Sequence, residues 1–383
     1  MRPLRIATLH SHKGGSFLLR CEAPLKKLQA QGAVTVVSPL MAWEADVVLF
    51  HDQWQPGSLD VMRSLQQHGI RVVVDVDGDI VTAPDAGFQE RARKLMETAD
   101  ALLVPCDAVA GKLGKLNPKV LVSPTGIDLD VWRNTGKETA RDKVRVVGFA
   151  ASPAEIANID IVRPVLAKLA YKFKEQNIRM ICFGFQPAWL RDVFAAAEGI
   201  AACSSSEYPE RLTGLGLDIA LAPLTAAGCT ESRSALKFWE HSLAGAVTIA
   251  TNLDPYASAI VDGATGLLVD NRPESWSQAI WKLIRNDELR RNMLASARQA
   301  VEAHDLVRTA PRMLEALEST RPNRNRTFFA CARTQEQECP NVDVVIPLRN
   351  ASALARQAIE TTLPELDAAH RLILVDDGCG MRV

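Results

Sequence analysis

Short β-branched runs alternate with longer helical patterns in this chain, and the alternation occurs twice. The first series has runs at Leu4–Leu9, Val34–Val37, Val47–Phe50, Val72–Val76, Leu102–Val104 and Val120–Val122, with helical stretches such as Ser16–Gln31, Ser58–His68, Gln89–Thr98 and Ala108–Leu116 between them. The second has runs at Val144–Phe149, Met180–Phe183, Ile219–Ala222, Val247–Ala250 and Gly266–Val269. Its helical patterns cover Ile159–Glu175, Ala188–Ala197, Ser234–Leu243, Ser275–Arg285 and Glu288–Ala303. Strands that are apolar throughout need cover on both faces, so each series predicts a parallel sheet between layers of crossover helices. The expected fold class is α/β, with two tandem Rossmann-like domains and the cleft between them as the default ligand site.

The polar stretch TGIDLDVWRNTGKETARDK separates the two series and reads as an interdomain linker. It places the first domain at residues 1–133 and the second at 134–318. Residues 319–341 are rich in Arg, Asn, Thr and Gln and read as a further linker. Residues 342–383 supply strand, helix and strand, a βαβ fragment too small to cover its own sheet.

Composition narrows the function classes. A chain of 383 residues suits two or three domains, and a formal net charge of −1 leaves no basic footprint for nucleic acid. No run of 18 apolar residues occurs, so no transmembrane helix is expected, and MRPLRIATLH enters a strand pattern without a signal-peptide core. The eight cysteines show no CxxC or other metal spacing and read as reduced thiols. Cys331 and Cys339 have no matching His pair around them.

The segment from Glu231 to Asp270 carries the densest functional signal. Arg233, Lys237 and Glu240 are spaced to share one helix face, and the chain then turns at Gly245 into a buried strand. A helix at the carboxyl edge of a parallel strand suits a phosphorylated ligand. On helix position alone, Glu240 reads as a surface ion-pair partner of Lys237, and the three charges as a solvated face. Gly14 and Gly15 follow the first strand. They let backbone amides approach an anionic or sugar oxygen, or form a plain tight turn. His51 ends a strand and can face the cleft. Asp75, Asp77 and Asp79 spell DxDxD, but the rest of a calcium loop is missing. Trp239, Trp276 and Trp281 fall on apolar helix faces and read as core.

Four segments, in order, resemble stretches of retaining GT-B glycosyltransferases, family 4 in particular. SHKGGSF is similar to the glycine loop, SPTGIDLDVW to the "NGID" segment, and LAPL with KFWEHSLAGAVTIAT to the stretch holding the second glutamate. VDGATGLLVD is similar to the "DG.tGllv" stretch, and the resemblance runs from Arg5 to about Leu317. It implies transfer of a sugar from a nucleotide-diphosphate sugar, held on the second domain, to a glycan, lipid-linked or protein acceptor on the first. It puts Glu240 on the ribose diol, Arg233 and Lys237 on the diphosphate, and Gly14 and Gly15 beside the donor. Glu231 or Ser232 would touch the sugar hydroxyls. The family separates its two glutamates by seven residues, which puts Ser232 at the first position and Glu231 one residue early. Asp77 stands about where the family places a cleft histidine, so Asp77 and His51 are the catalytic candidates of the first domain.

Further implications follow from the same resemblance. No metal and no cofactor beyond the nucleotide-sugar are expected. The expected context is bacterial surface polysaccharide or glycan synthesis in the cytoplasm, with peripheral contact at the inner face of the membrane. The usual basic pair after the first strand of the second domain is absent from GFAASPAEIANID, which leaves charge compensation to Arg233 and Lys237. That departure, with Ser232, keeps open a non-catalytic GT-B module that binds nucleotide or glycan for a partner enzyme. A sugar-nucleotide epimerase would need a cluster of carboxylates and histidines that is not evident, and a dinucleotide oxidoreductase would need GxGxxG after a strand. From Val342, VVIPLRNA and LILVDDG resemble the opening of a family 2 GT-A glycosyltransferase, with Asp376 or Asp377 as its uridine-binding aspartate.

Overall fold

The computed structural model describes residues 2–11, 15–77, 85–133, 135, 143–226 and 234–320, and the backbone of two strands, Asp343–Leu348 and Arg371–Asp376. The chain forms two compact units, Met1–Pro322 and Asn323–Val383.

The first unit holds two six-stranded sheets, parallel throughout. One contains β1 (Leu4–His10), β2 (Val34–Val36), β3 (Val47–His51), β4 (Arg71–Asp75), β5 (Ala101–Val104) and β6 (Val120–Val122), in the order β2-β1-β3-β4-β5-β6. The other contains β7 (Val146–Ala151), β8 (Arg179–Gly184), β9 (Glu198–Ala201), β10 (Ile219–Ala222), β11 (Val247–Thr251) and β12 (Leu267–Val269), in the order β12-β11-β10-β7-β8-β9. In both, the order reverses beside the first strand, and ligands of open α/β sheets bind at such a point. The central strands β3, β5, β10 and β11 are buried at every residue, as their unbroken apolar runs require.

The two lobes exchange chain. The helix Leu306–Ser319 follows the second sheet in sequence, yet Ala310, Met313 and Leu317 pack with Leu4, Ile6, Leu25 and Leu28 in the core of the first. Conversely Ile127, Leu129 and Trp132, placed by sequence at the end of the first domain, pack with Phe238 and Trp239 in the core of the second. Each segment has an apolar stripe, and the opposite lobe buries it. The crossing points touch: Ile127 N–H donates to His304 C=O (2.9 Å), and Leu306 N–H donates to Ile127 C=O (3.0 Å).

Three second-lobe elements differ from expectation. The helix expected over Ile159–Glu175 is broken, with a 3-10 turn at Asp160–Val162 and the main helix at Arg163–Glu175. Pro164 sits in its first turn, where a missing N–H costs nothing. The helix expected over Ala188–Ala197 shrinks to Leu190–Val193, because Phe194 leaves helical geometry (φ −138°, ψ 84°) and is buried. The residues so released feed β9, a four-residue edge strand with little β-branched character to announce it. The tryptophans behave as read: Trp239 and Trp276 are buried, and Trp281 packs against the second core.

In the second unit the described strands Asp343–Leu348 and Arg371–Asp376 pair in parallel, Asp343 opposite Arg371 and Leu348 opposite Asp376.

Candidate active site between the two lobes

A cavity of about 560 Å³ opens between the sheets of the first unit. Gly15, Ser16, Arg20 and Asp77 line it from the first lobe, and Tyr208 and Glu240 from the second. Among the described residues the lining carries one cation, Arg20, against the carboxylates of Asp77, Asp128 and Glu240.

The first wall is built at the carboxyl ends of β1, β3 and β4, where register aligns His10, His51 and Asp75 in one row. Asp75 is fully buried, which demands counter-charge. Arg20 supplies it, with Nε 3.0 Å from both carboxylate oxygens. Nη2 also donates to Asp75 Oδ1, at 2.5 Å, and Nη1 reaches Ser123 C=O and Thr125 Oγ1, each at 3.2 Å. Arg20 lies in a π-helical turn, Leu18–Glu22, between the helical segments Gly15–Phe17 and Ala23–Ala30. The wider turn carries Arg20 and Cys21 inward, and such turns gather at functional sites. His51 Nδ1 lies 2.8 Å from Asp75 Oδ2, and its Nε2 is 3.3 Å from Ser16 Oγ. The Ser16 hydroxyl in turn donates to Asp77. The result is a continuous chain: Arg20, Asp75, His51, Ser16, Asp77.

Charge follows geometry along that chain. Burial alone would raise the Asp75 carboxyl, but Arg20 and His51 outweigh it and hold Asp75 below the usual carboxylate range. Burial works against a charged His51, yet the hydrogen bond and charge of Asp75 raise its pKa above the ordinary value. Burial raises the Asp77 carboxyl, and the Arg20 charge and Ser16 hydroxyl offset this only in part. Ligand atoms of Cys21, His51 and Asp75 gather within 4.8 Å of one another. They fit a metal ion poorly, because the Arg20 cation already sits on Asp75 and burial pushes the Cys21 thiol well up, away from the thiolate a metal needs.

The second wall is the helix Leu236–Ala244, which ends at Gly245 in the left-handed region (φ +98°) before β11. Glu240 faces the cavity, and the Tyr208 hydroxyl donates to it at 3.2 Å. Tyr208 itself stacks on Phe183, with ring centroids 5.5 Å apart. Burial pushes the Glu240 carboxyl up to about 7, against the pull of Tyr208 and Lys237. Lys237 donates to Ala150 C=O (2.9 Å) and pairs with Glu155 (2.5 Å).

The residues singled out from sequence divide into three groups. Gly15, Asp77 and Glu240 come together on the cavity. A Cβ at Gly15 would meet nothing within 4 Å, so packing does not require the glycine. His51 does not face the cleft. It is 1% exposed, drawn beneath the wall by the buried Asp75, and meets the cavity only through Ser16. Lys237 pairs with Glu155, not with Glu240. Gly14, Asp79, Glu231, Ser232 and Arg233 lie outside the described residues, and the described helix begins only at Leu236. Sequence reasoning missed Arg20, Tyr208 and Glu155. A lone arginine inside the apolar stripe of FLLRCEAPL was a usable signal for the first, since a charge there must find a buried partner. Tyr208, in SSSEYPE, had none.

Known proteins give the fold a counterpart. No protein-family model matches the chain. It is similar to the D-inositol 3-phosphate glycosyltransferase of Corynebacterium urealyticum, 23% identical over 248 residues, covering 59% of this chain and 58% of that protein. The chain thus spans a little over half the length of the curated relatives it matches. Among solved structures, Anabaena HepE in complex with UDP and glucose aligns with a TM-score of 0.62 at 14% identity, over 82% of this chain and 100% of that one. The fold is that of the GT-B glycosyltransferases. A glycosyltransferase from Rickettsia africae aligns similarly, with a TM-score of 0.61 at 14% identity over 84% of this chain and 99% of that one. In this frame the cavity occupies the interlobe cleft of the GT-B fold, with the Glu240 helix on the carboxyl-terminal lobe.

Proposed function

We propose that the chain is a retaining glycosyltransferase of the family 4 type that takes a nucleotide-diphosphate sugar as donor. The observation that carries the reading is the meeting of Asp77 and Gly15 from one lobe with Glu240 from the other on one cavity. The complex of the HepE neighbour with UDP and glucose supports a donor of the UDP-sugar class, and the name of the curated relative supports glycosyl transfer.

In this reading Glu240 accepts the ribose hydroxyls, Lys237 and Arg233 face the diphosphate, and Glu231 or Ser232 the sugar hydroxyls, with Gly14 and Gly15 beside the donor. Asp77, fixed by Ser16 and through it by His51, faces the transferred sugar or the acceptor hydroxyl. The bond from the anomeric carbon to the leaving phosphate oxygen breaks, the acceptor oxygen takes its place, and the acceptor proton passes to the leaving phosphate. The cleft supplies orientation and excludes water. No metal or cofactor has a step in this scheme. The acceptor is a glycan, lipid-linked or protein group of bacterial surface polysaccharide or glycan synthesis, met in the cytoplasm or at the inner membrane face. The paired strands Asp343–Leu348 and Arg371–Asp376 are consistent with the opening of a family 2 GT-A domain, and Asp376 ends the second. The pairing of Lys237 with Glu155 favours a second reading, a nucleotide- or glycan-binding module without catalysis.

The test is thermal stabilisation by UDP-, GDP-, ADP- and dTDP-sugars, followed by turnover assays. A donor that binds only the folded state, at 100 times its dissociation constant, adds about 2.7 kcal/mol. We expect a shift with one nucleotide class that disappears in Glu240→Ala. Binding without turnover moves the conclusion to the module, and no shift with any donor removes the nucleotide-sugar reading.

A further inference from the structure

The Lys237 ammonium is already neutralised. Glu155 Oε1 lies 2.5 Å from Lys237 Nζ, and Glu155 Oε2 accepts from Ser152 N–H (2.9 Å) and Ser152 Oγ (3.1 Å). These Ser152 contacts form a capping box on the 3-10 turn Pro153–Glu155, directly after β7. Glu155 is therefore anchored by its own backbone turn and presents one oxygen outward to the cation. Both side chains keep about a quarter of their surface exposed, 24% for Lys237 and 23% for Glu155, so a ligand can reach the pair. On the same helix, one turn on, Glu240 faces the cavity.

We infer that Glu155 is a built-in counter-anion that competes with the donor's diphosphate for Lys237, and so sets how strongly the site binds phosphate charge. The inference rests on the donor-site reading of the Glu240 face. A carboxylate within ion-pair distance of a lysine offers the oxygens a phosphate would offer. A nucleoside diphosphate entering beside it must share or capture the ammonium and must lie close to a fixed negative charge. With Asp77, Asp128 and Glu240 on the lining and Arg20 committed to Asp75, the described part of the cleft has no spare cation to offset that repulsion. Glu155 makes the site selective against excess anionic charge: a diphosphate gains less here than at an unopposed lysine, while uncharged donor parts are unaffected.

Glu155→Gln isolates the charge, because glutamine at that position preserves a capping box and hence the turn. Calorimetric titration with UDP, GDP, ADP and dTDP identifies the diphosphate that wild type binds best, and its free nucleoside serves as the uncharged control. We expect Glu155→Gln to bind that diphosphate about tenfold tighter, with the nucleoside unchanged and the gain shrinking at high salt. Equal or weaker diphosphate binding by Glu155→Gln overturns the counter-anion, showing Glu155 merely to hold Lys237 in place. If wild type binds a diphosphate, and loses it in Glu240→Ala, while Glu155→Gln changes nothing, the donor site stands and this inference alone falls. If no diphosphate binds wild type or Glu155→Gln, both fall.

Discussion

The Tyr208 hydroxyl donates to the Glu240 carboxylate across 3.2 Å at the wall of the interlobe cavity. The bond ties a residue before the second-lobe strand β10 to the helix after it, and leaves a carboxyl whose proton affinity burial has raised from 4.5 to about 7. The folded protein thus keeps this proton through a range where the unfolded chain has released it. Folding stability falls as pH rises from about 4.5 to about 7, and the penalty is complete above that. Glu240→Gln removes the titration. Urea unfolding at pH 8 should find the variant more stable by roughly 3 kcal/mol relative to its difference from wild type at pH 4. A gap that does not widen with pH contradicts the raised carboxyl.

Tyr208→Phe acts on the same group from the other side. The hydroxyl favours the ionised carboxylate, so its loss raises the Glu240 pKa further. If the ionised form binds the ribose, the pH midpoint for donor affinity moves upward in Tyr208→Phe, with affinity at pH 9 nearly preserved. Titration of donor binding between pH 6 and pH 9 reads this directly.

Beneath the opposite wall, Asp75 serves two buried partners, the Arg20 guanidinium and the His51 imidazole. Asp75→Asn leaves Arg20 without its counter-charge, and should cost about 3–5 kcal/mol in chemical denaturation. His51 is raised above its ordinary value by Asp75, so its contribution to stability is full below about pH 6.5 and fades as pH rises through the elevated pKa. In Asp75→Asn the His51 resonance, followed by NMR, should titrate at lower pH than in wild type.

Gly126 sits at the lobe crossing, where an added Cβ would lie 2.2 Å from Thr309 Oγ1 and 2.8 Å from Leu306 Cδ2. Gly126→Ala must displace the Thr309 and Leu306 side chains of the helix Leu306–Ser319, and overpacking of this kind costs about 1–3 kcal/mol. Met313→Ala, which empties the buried face of that helix, should cost about 2–5 kcal/mol. Both losses should appear as earlier thermal unfolding. Hydrogen exchange in β1 should rise most in Met313→Ala, because Met313 packs in the core that holds Leu4 and Ile6.

The sheets were legible because each strand buried on both faces prints a continuous apolar run, and eleven of the twelve first-unit strands coincide with such a run to within two or three residues. β9 escaped because an edge strand of four residues needs no such run. Glu240 and Asp77, which line the cavity, were singled out by the family resemblance, whereas helix position alone read Glu240 as a surface partner of Lys237. The rest depended on pairings between distant residues. Nothing in the sequence says that Glu155 reaches Lys237 over a separation of 82 residues, or that His51 turns inward to Asp75. The exchange of Leu306–Ser319 onto the first lobe was hidden for the same reason, since its apolar stripe fits either sheet.

The two lobes are joined where Ile127 runs beside residues 304–306, its N–H held by His304 C=O and its C=O by Leu306 N–H. Two adjacent tethers behave as a door on a pair of pins, whereas one linker behaves as a ball joint. Rotation about the line of the pins stays soft; twist and slide do not. Any motion between the lobes is thereby steered along one arc, which carries the Glu240 wall toward or away from Asp77.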